Sequence, residues 1–519
     1  MLKFWKEWKG TILAGILIFI LGFGLRLYHL NLLPIFGDEA IYIRWAQIMR
    51  ADPALRFVPL SDGKQPLQMW SMIPFLKIFT DPLFAGRLLS VLTGLGSLVG
   101  IFVLTYLLFK NKKVGLIASL TYAVSPYSVF FDRLALADSM LAFFGVWTGV
   151  FGILMAKTKR LDFAMLLGFS LGGALLTKSP AIFFILLVPL TWILGDWPKE
   201  AKGILYSLLK IGILYSVSLL IAYAMFNVLR LGTNFHMIAL RNKDYVYPLN
   251  HIFERPFDPF LPFLTRALEW LWTLGPWVLI FLGIIGILIS FKKSPKEILI
   301  LTVWFILPIL VQAEFAQTFT ARYIFFSLPY LCILAASSFF AGSENWKKLT
   351  TIGTLLLIFL ALRTDYFLLD SPEYASLPRS ERSGYLEDWT SGVGIKEVGE
   401  YIRSEYLREP TKKIVVGTEG YFGTLPDGLQ IYLNDIREIV VIGVGIDLKD
   451  VPKSLSDSVK AGNKTYLVIN STRFFGEPLK LGLNLLAVYP KAVKPDGSRE
   501  TLLFYQLVPE APMNDGLKI

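Results

Sequence analysis

Residues 11–28 read TILAGILIFILGFGLRLY, eighteen residues with a single charge, Arg26. A helix needs about 20 mostly apolar residues to cross the hydrocarbon layer of a bilayer. Lys3, Lys6 and Lys9 precede the run, as in a secretory leader. No small-residue cleavage site follows and further apolar runs do, so the stretch reads as a retained anchor. Working outward from it, comparable runs recur at 83–109, 114–131, 134–156, 162–177, 180–195, 203–229, 267–291, 298–313, 321–341 and 350–367, about eleven expected spans in all.

Composition agrees with that reading. Of 519 residues 54% are hydrophobic and only 18% charged, and the mean hydropathy is +0.55. A soluble globular chain carries about a quarter charged residues, so a disordered chain, a collagen-like chain and an ordinary soluble enzyme are excluded. One cysteine, Cys332, excludes an intramolecular disulfide and a Cys-rich metal site. The net charge is +11. From Asp370 onward there are 18 Lys and Arg against 21 Asp and Glu, whereas the apolar part holds 33 against 19. A basic excess confined to the apolar part suits anionic lipid headgroups or phosphates. The tail has no basic stripe with interleaved aromatics, so nucleic acid is not an expected partner.

The short connections sort by charge. Lys110-Asn111-Lys112-Lys113, Lys157-Thr158-Lys159-Arg160, Lys199 with Lys202, Lys292-Lys293 with Lys296, and Lys347-Lys348 alternate with connections that have few basic residues. The positive-inside rule places this set and the N-terminus in the cytoplasm of a multi-pass cell-membrane protein. An odd number of spans then puts the tail outside, together with two longer segments near 30–82 and 230–266. Two domains are expected: a helical membrane domain over 1–369, carrying the outer amphipathic loop 30–82, and a small extracytoplasmic α/β domain over 370–519. In the latter, 395–407 has helical spacing and 451–460 reads as a helix. Residues 413–417, 438–444, 465–470, 485–489 and 501–507 read as strands, the last two flanking the turn signal Pro495-Asp496-Gly497-Ser498. Asn463-Lys464-Thr465 and Asn470-Ser471-Thr472 match the N-glycosylation pattern, a common chance match.

Chemistry concentrates on the outer side. Gly37-Asp38-Glu39-Ala40-Ile41-Tyr42 follows the first span directly. Ile41, Trp45, Ile48 and Met49 then share one face of a helix suited to the membrane interface. Asp38 and Glu39 open that helix. They are candidates for capping it and complementing its dipole, and equally for a carboxylate that takes a proton from an acceptor hydroxyl. Lys64, in Asp62-Gly63-Lys64-Gln65-Pro66-Leu67, and Arg87 lie in or beside the same loop, either snorkelling to ordinary lipid phosphates or clamping a particular one. Asp132-Arg133 and Asp138-Ser139 sit at the next outward turn, with Asp138 inside the start of an apolar run where a charge is costly. Lys178 in Thr177-Lys178-Ser179-Pro180 is a candidate helix cap, and Arg322-Tyr323 a candidate interface anchor. Each signal is weak singly. Together, acids and bases at one membrane depth point to a phosphate-bearing lipid substrate.

At these residues the chain resembles the polytopic, lipid-donor glycosyltransferases of the GT-C class, and more narrowly the superfamily of the protein O-mannosyltransferases and the lipid A aminoarabinose transferase. The matching pieces, in order, are Gly37 to Tyr42, Lys64-Gln65-Pro66-Leu67 through Trp70, Arg133 through Asp138-Ser139, Leu175-Leu176-Thr177-Lys178-Ser179-Pro180, and Ala321-Arg322-Tyr323. The resemblance covers about residues 10–367. It implies inverting transfer of a sugar from a polyprenyl phosphate to a lipid, glycan or protein acceptor outside the cytoplasm. By match, Asp38 is the implied general base and Asp138 a second acid of the site, with Glu39 beside them. Lys64, Lys178 and Arg322 hold the donor phosphate, with Arg87 and Arg133 as further cationic candidates. A divalent metal ion is the one cofactor the resemblance suggests. Gly63 stands where the aminoarabinose enzyme has a glutamate, and His236 and His251 lie in the second long outer loop, where that enzyme supplies a histidine ligand; the favoured reading of both is as plain loop histidines. Competing readings are a lipid-linked sugar flippase or other transporter, and a scaffold presenting the tail. No internal repeat favours transport, and a scaffold leaves Asp138 unexplained.

Overall fold

A computed structural model of the chain describes residues 2–508. Residues 509–519 of the expected tail domain, and the side chain of Lys3, lie outside the described residues. The chain divides into two compact units: Met1–Leu30, Asp52–Phe75 and Arg87–Pro378 form one, and Asn31–Ala51, Leu76–Gly86 and Arg379–Ile519 the other. The expected outer loop is thus shared out, and its amphipathic segment groups with the tail.

The first unit is helical. Among the described residues, seven helices are long and apolar enough to cross a membrane: Trp5–Leu27, Pro82–Phe109, Ala137–Thr158, Ala201–Leu231, Pro295–Phe315, Ala321–Ala341 and Glu344–Asp370. Phe260–Leu274 and Trp277–Ser290, bent by 104°, make eight if they count as one span. Pro276 stands at that bend, where it removes a backbone donor.

Of the other expected spans, 162–177 is a 17-residue helix, Leu161–Thr177, and two more are broken at prolines. The run 114–131 is a helix over Lys112–Val124, capped by Asn111 Oδ1 accepting from the amides of Lys113 and Val114, then a turn over Pro126–Phe131. Ser125 between them is extended, with φ −67° and ψ 123°, because a residue before proline is steered out of the α region. The run 180–195 alternates tight 3₁₀ turns around Pro180 and Pro189 with a helical segment, Ile182–Leu187.

Close approach requires glycine at positions such as Gly286 and Gly94. A Cβ on Gly286 would collide with the carbonyl of Leu334 on the neighbouring Leu328–Ala341 helix, and one on Gly94 would collide with the carboxylate of Asp132. Cys332, in the helix Gly286 packs against, has 0% exposure.

Asp132 answers the one charge of the first span. Arg26 Nε donates to its Oδ2 at 2.9 Å, Tyr122 Oη donates to the same oxygen at 3.1 Å, and Ser139 Oγ donates to Oδ1 at 2.6 Å. The remaining Arg26 donors reach Ser128 Oγ and the carbonyls of Gly22 and Ala123. A buried ion pair this fully bonded avoids leaving an unpaired charge in an apolar setting.

The second unit is an α/β fold around one five-stranded sheet, order β2-β1-β3-β5-β4, with β1 Ile414–Glu419, β2 Ile439–Gly445, β3 Lys464–Asn470, β4 Leu483–Val493 and β5 Arg499–Leu507. β1 runs parallel to β2 and β3; β5 is antiparallel to β3 and β4. The β4–β5 turn falls where Pro495-Asp496-Gly497-Ser498 was read: Asp496 Oδ1 accepts from Ser498 N at 2.9 Å and Gly497 supplies a φ of +82°. Leu455, Leu467, Ile469 and Leu483 build one face of the core.

Helix Gly37–Ala51 belongs to this unit. Its amide Gly37 N donates to Thr390 O at 3.2 Å, and Gln47 Nε2 donates to Ile431 O at 2.9 Å. Ile41, Ile43, Trp45, Ala46 and Met49 are all buried, so the segment is covered on more sides than an interfacial helix would be. Asn470, read as part of a glycosylation triplet, is 1% exposed and its amide group donates to Glu419 Oε1 at 2.6 Å, leaving it inaccessible to modification.

Candidate active site

The site in the helical unit begins at the end of helix Leu161–Thr177. Lys178 leaves that helix in extended geometry, with φ −163° and ψ 146°, before the turn over Ser179–Ala181. Its Nζ lies 2.6 Å from Asp138 Oδ1, in the first turn of helix Ala137–Thr158. Asp138 is 3% exposed and the Lys178 side chain 20%, so the carboxylate is sealed while the ammonium keeps an open flank. The same Nζ stands 4.6 Å from the Tyr323 ring centroid, and the Arg322 guanidinium carbon 5.6 Å from that centroid. One aromatic ring therefore serves two cations. Tyr127 Oη anchors the stretch by donating to Ala321 O at 2.5 Å.

The Lys64 turn is tied to the same place. Gln65 Nε2 donates to Ser179 Oγ at 2.8 Å, next in sequence to Lys178, and Ser179 Oγ donates to Asn242 Oδ1 at 3.3 Å. Asp62 receives Arg241 at 2.9 Å and Lys64 at 3.7 Å. Gly63 has φ +67°, and a Cβ there would lie 2.7 Å from Met237 O and 2.8 Å from Arg241 Cβ. The turn has no room for a side chain at this position. Lys64, Lys178, Arg322 and Asp138 are thus brought together.

Arg87 and Arg133 are placed elsewhere. Arg87, 0% exposed, donates to Leu30 O at 2.9 Å, and Arg133 donates to Leu25 O at 3.3 Å and His29 O at 2.8 Å. Both attend the carbonyls at the end of the first span, which lack intrahelical partners. Asp38 and Glu39 open helix Gly37–Ala51 of the other unit. Asp38 is half-buried in the first turn, where the helix dipole favours the carboxylate. Glu39 is 0% exposed and accepts from Phe36 N at 3.1 Å, the reach-back of a capping box.

Further along that helix, Arg44 reads from sequence only as lying off the apolar face. Burial holds its guanidinium below the ordinary arginine value, with Asp427 opposing, and burial pushes Asp427 up. Its signal was present, a charge directly before Trp45 among the apolar residues Ile41, Tyr42, Ile43 and Trp45 of that helix.

The donors for a divalent metal do not fit. Among the described residues no group of three or more His, Cys, Asp or Glu is placed to hold an ion. His251 Nε2 lies 2.5 Å from the carbonyl of Asp258, to which it donates, and its ring stacks on Tyr247 with centroids 4.1 Å apart. His236 is exposed.

Fold and sequence comparisons agree on the class. Residues 63–226, which contain Lys64, Asp138 and Lys178, match the family model described as dolichyl-phosphate-mannose-protein mannosyltransferase. The structure is similar to that of ArnT from Cupriavidus metallidurans bound to undecaprenyl phosphate, with a TM-score of 0.58 at 16% identity over 97% of this chain and 99% of that one. It is also similar to the apo form of the same protein, with a TM-score of 0.58 at 14% identity over 96% and 98%. No significant match is found among curated protein sequences. The chain has the fold of a polytopic GT-C glycosyltransferase, with a small α/β unit after the membrane helices.

Proposed function

We propose that the protein is an integral-membrane glycosyltransferase that moves a sugar from a polyprenyl phosphate to an acceptor hydroxyl on the extracytoplasmic side, with inversion. The convergence of Lys178, Arg322 and the Lys64 turn beside the sealed Asp138 carries this reading. The similarity to a structure that holds undecaprenyl phosphate supports the donor class.

In this proposal the acceptor oxygen attacks the anomeric carbon while Asp38 takes its proton. The bond from that carbon to the phosphate oxygen breaks, and polyprenyl phosphate leaves with the electron pair. The transition state is oxocarbenium-like. Base assistance supplies about 10²–10⁴ in rate. Lys64, Lys178 and Arg322 absorb the charge that develops on the departing phosphate, where fixed cations in a poorly hydrated site act strongly. Asp138 sets the position of the Lys178 ammonium. Arg87 and Arg133 hold the end of the first span in place, and Glu39 fixes the turn that presents Asp38. No step is routed through a metal.

The positive-inside distribution supports an orientation with the N-terminus cytoplasmic and the α/β unit outside. A lipid, glycan or protein supplies the hydroxyl.

The test is to supply purified protein with a polyprenyl-phosphate sugar and mixed acceptors. Release of free polyprenyl phosphate is expected. Sugar-lipid crossing in vesicles without such release would instead establish a flippase.

A further inference from the structure

Asp365 lies in helix Glu344–Asp370, is 1% exposed, and neither of its carboxylate oxygens has a hydrogen-bond partner among the described residues. A buried carboxylate within a membrane-length helix carries a large penalty unless something donates to it. The two arginines whose charge reaches it, Arg26 and Arg133, do not do so. Arg26 gives its donors to Asp132, Ser128 and backbone carbonyls, and Arg133 gives its own to the carbonyls of Leu25 and His29.

Asp365 lines the floor of a half-open groove of about 300 Å³, shared with Leu25 and Tyr28 at the end of the first span and with Leu362, Tyr366, Leu369 and Asp370 on the last. The chemistry of these walls selects a ligand. Two carboxylates and no basic side chain reject an anion. Two tyrosine rings favour a cation over their faces, and three leucines favour a ligand with an apolar body. A primary ammonium on a lipid meets all three conditions.

We propose that this groove binds the ammonium headgroup of an aminophospholipid, with Asp365 as its counter-ion and hydrogen-bond acceptor. The site is separate from the Lys178 cluster and goes beyond the transferase reading. Its occupant bridges the first and last membrane-length helices, so a lipid of this class fastens the two ends of the helical unit together.

The test uses the full-length protein, stripped of lipid in detergent and then supplied with phosphatidylethanolamine, its N-acetylated derivative with the same tails, phosphatidylglycerol, or free ethanolamine. The thermal midpoint and the lipid retained in native mass spectrometry are read together. Phosphatidylethanolamine is expected to raise the midpoint and to stay bound, whereas the other three leave both unchanged. Asp365→Asn, which keeps the shape and removes the charge, is expected to abolish the selective shift. Equal shifts from phosphatidylethanolamine and phosphatidylglycerol overturn the proposal. So does an undiminished shift in Asp365→Asn, or a matching shift from free ethanolamine. Should that variant not fold, the N-acetylated lipid on the unaltered protein decides alone, since retention of that lipid removes the need for an ammonium.

Discussion

Lys178 Nζ is held 2.6 Å from Asp138 Oδ1 while the same ammonium lies over the Tyr323 ring. The pairing is asymmetric, because Asp138 has almost no access to water and Lys178 has some. Removing the lysine strands a buried charge; removing the carboxylate charge does not. We therefore expect Lys178→Ala to cost on the order of 3 kcal/mol of stability and Asp138→Asn clearly less. The double variant should regain most of that stability without regaining transfer. Thermal unfolding of the three variants, read beside polyprenyl-phosphate release, checks the ordering.

Asp38 and Glu39 are neighbours with different tasks. Asp38→Asn should keep the fold and lower turnover by about 10²–10⁴, the range for loss of a general base. Glu39→Ala removes the acceptor of Phe36 N and should cost about 1 kcal/mol of stability, as other helix-cap losses do. Wild-type turnover in Asp38→Asn would take the base role away from that residue.

Gly63→Ala tests the turn that presents Lys64. The positive φ and the nearby Met237 carbonyl oppose any side chain. Strain at such a position costs about 1–3 kcal/mol, and the displaced lysine should raise the apparent KM for the donor more than it lowers kcat. An unchanged donor KM would separate Lys64 from phosphate binding.

Lys491 gives the α/β unit a signature in pH. It is 1% exposed, donates to Asp388 O at 3.1 Å, and faces Glu500, Glu419, Asp388 and Arg473. Burial pushes its ammonium from the ordinary 10.5 down to about 8. Between those values the unfolded chain binds the extra proton, so stability should rise with pH across that window. Buried tyrosines such as Tyr466, pushed upward, act in the opposite direction at still higher pH. Lys491→Met should raise stability near pH 7 and flatten the rise toward pH 9.5. An identical slope in the variant would assign the effect to another group.

The apolar runs made the membrane class and the tail strands legible, because period and length are local properties. The continuity of the spans was less so. Ser125-Pro126 and Pro276 interrupt helices inside stretches whose hydropathy does not change. The cluster at Lys178 could be anticipated by membrane depth, since charges at one level of adjacent spans meet. Depth alone could not separate Arg87 and Arg133 from it, because turning toward the first helix is a matter of rotation about a helix axis. Arg26 was visible as a lone charge within an apolar run, and Asp365 as an acid two residues after Arg363 in another. The first found its partner in Asp132, whereas the second has no hydrogen-bond partner among the described residues, a difference no single stretch of sequence encodes.

The burial of Cys332 has a practical side. A thiol with no exposed surface is out of reach of reagents in solution. Maleimide reagents should pass the folded protein by, and a cysteine introduced at an exposed position such as Tyr421 would then be the sole point of attachment for a fluorophore or spin label. The native chain is thus already a background-free host for distance measurements during turnover.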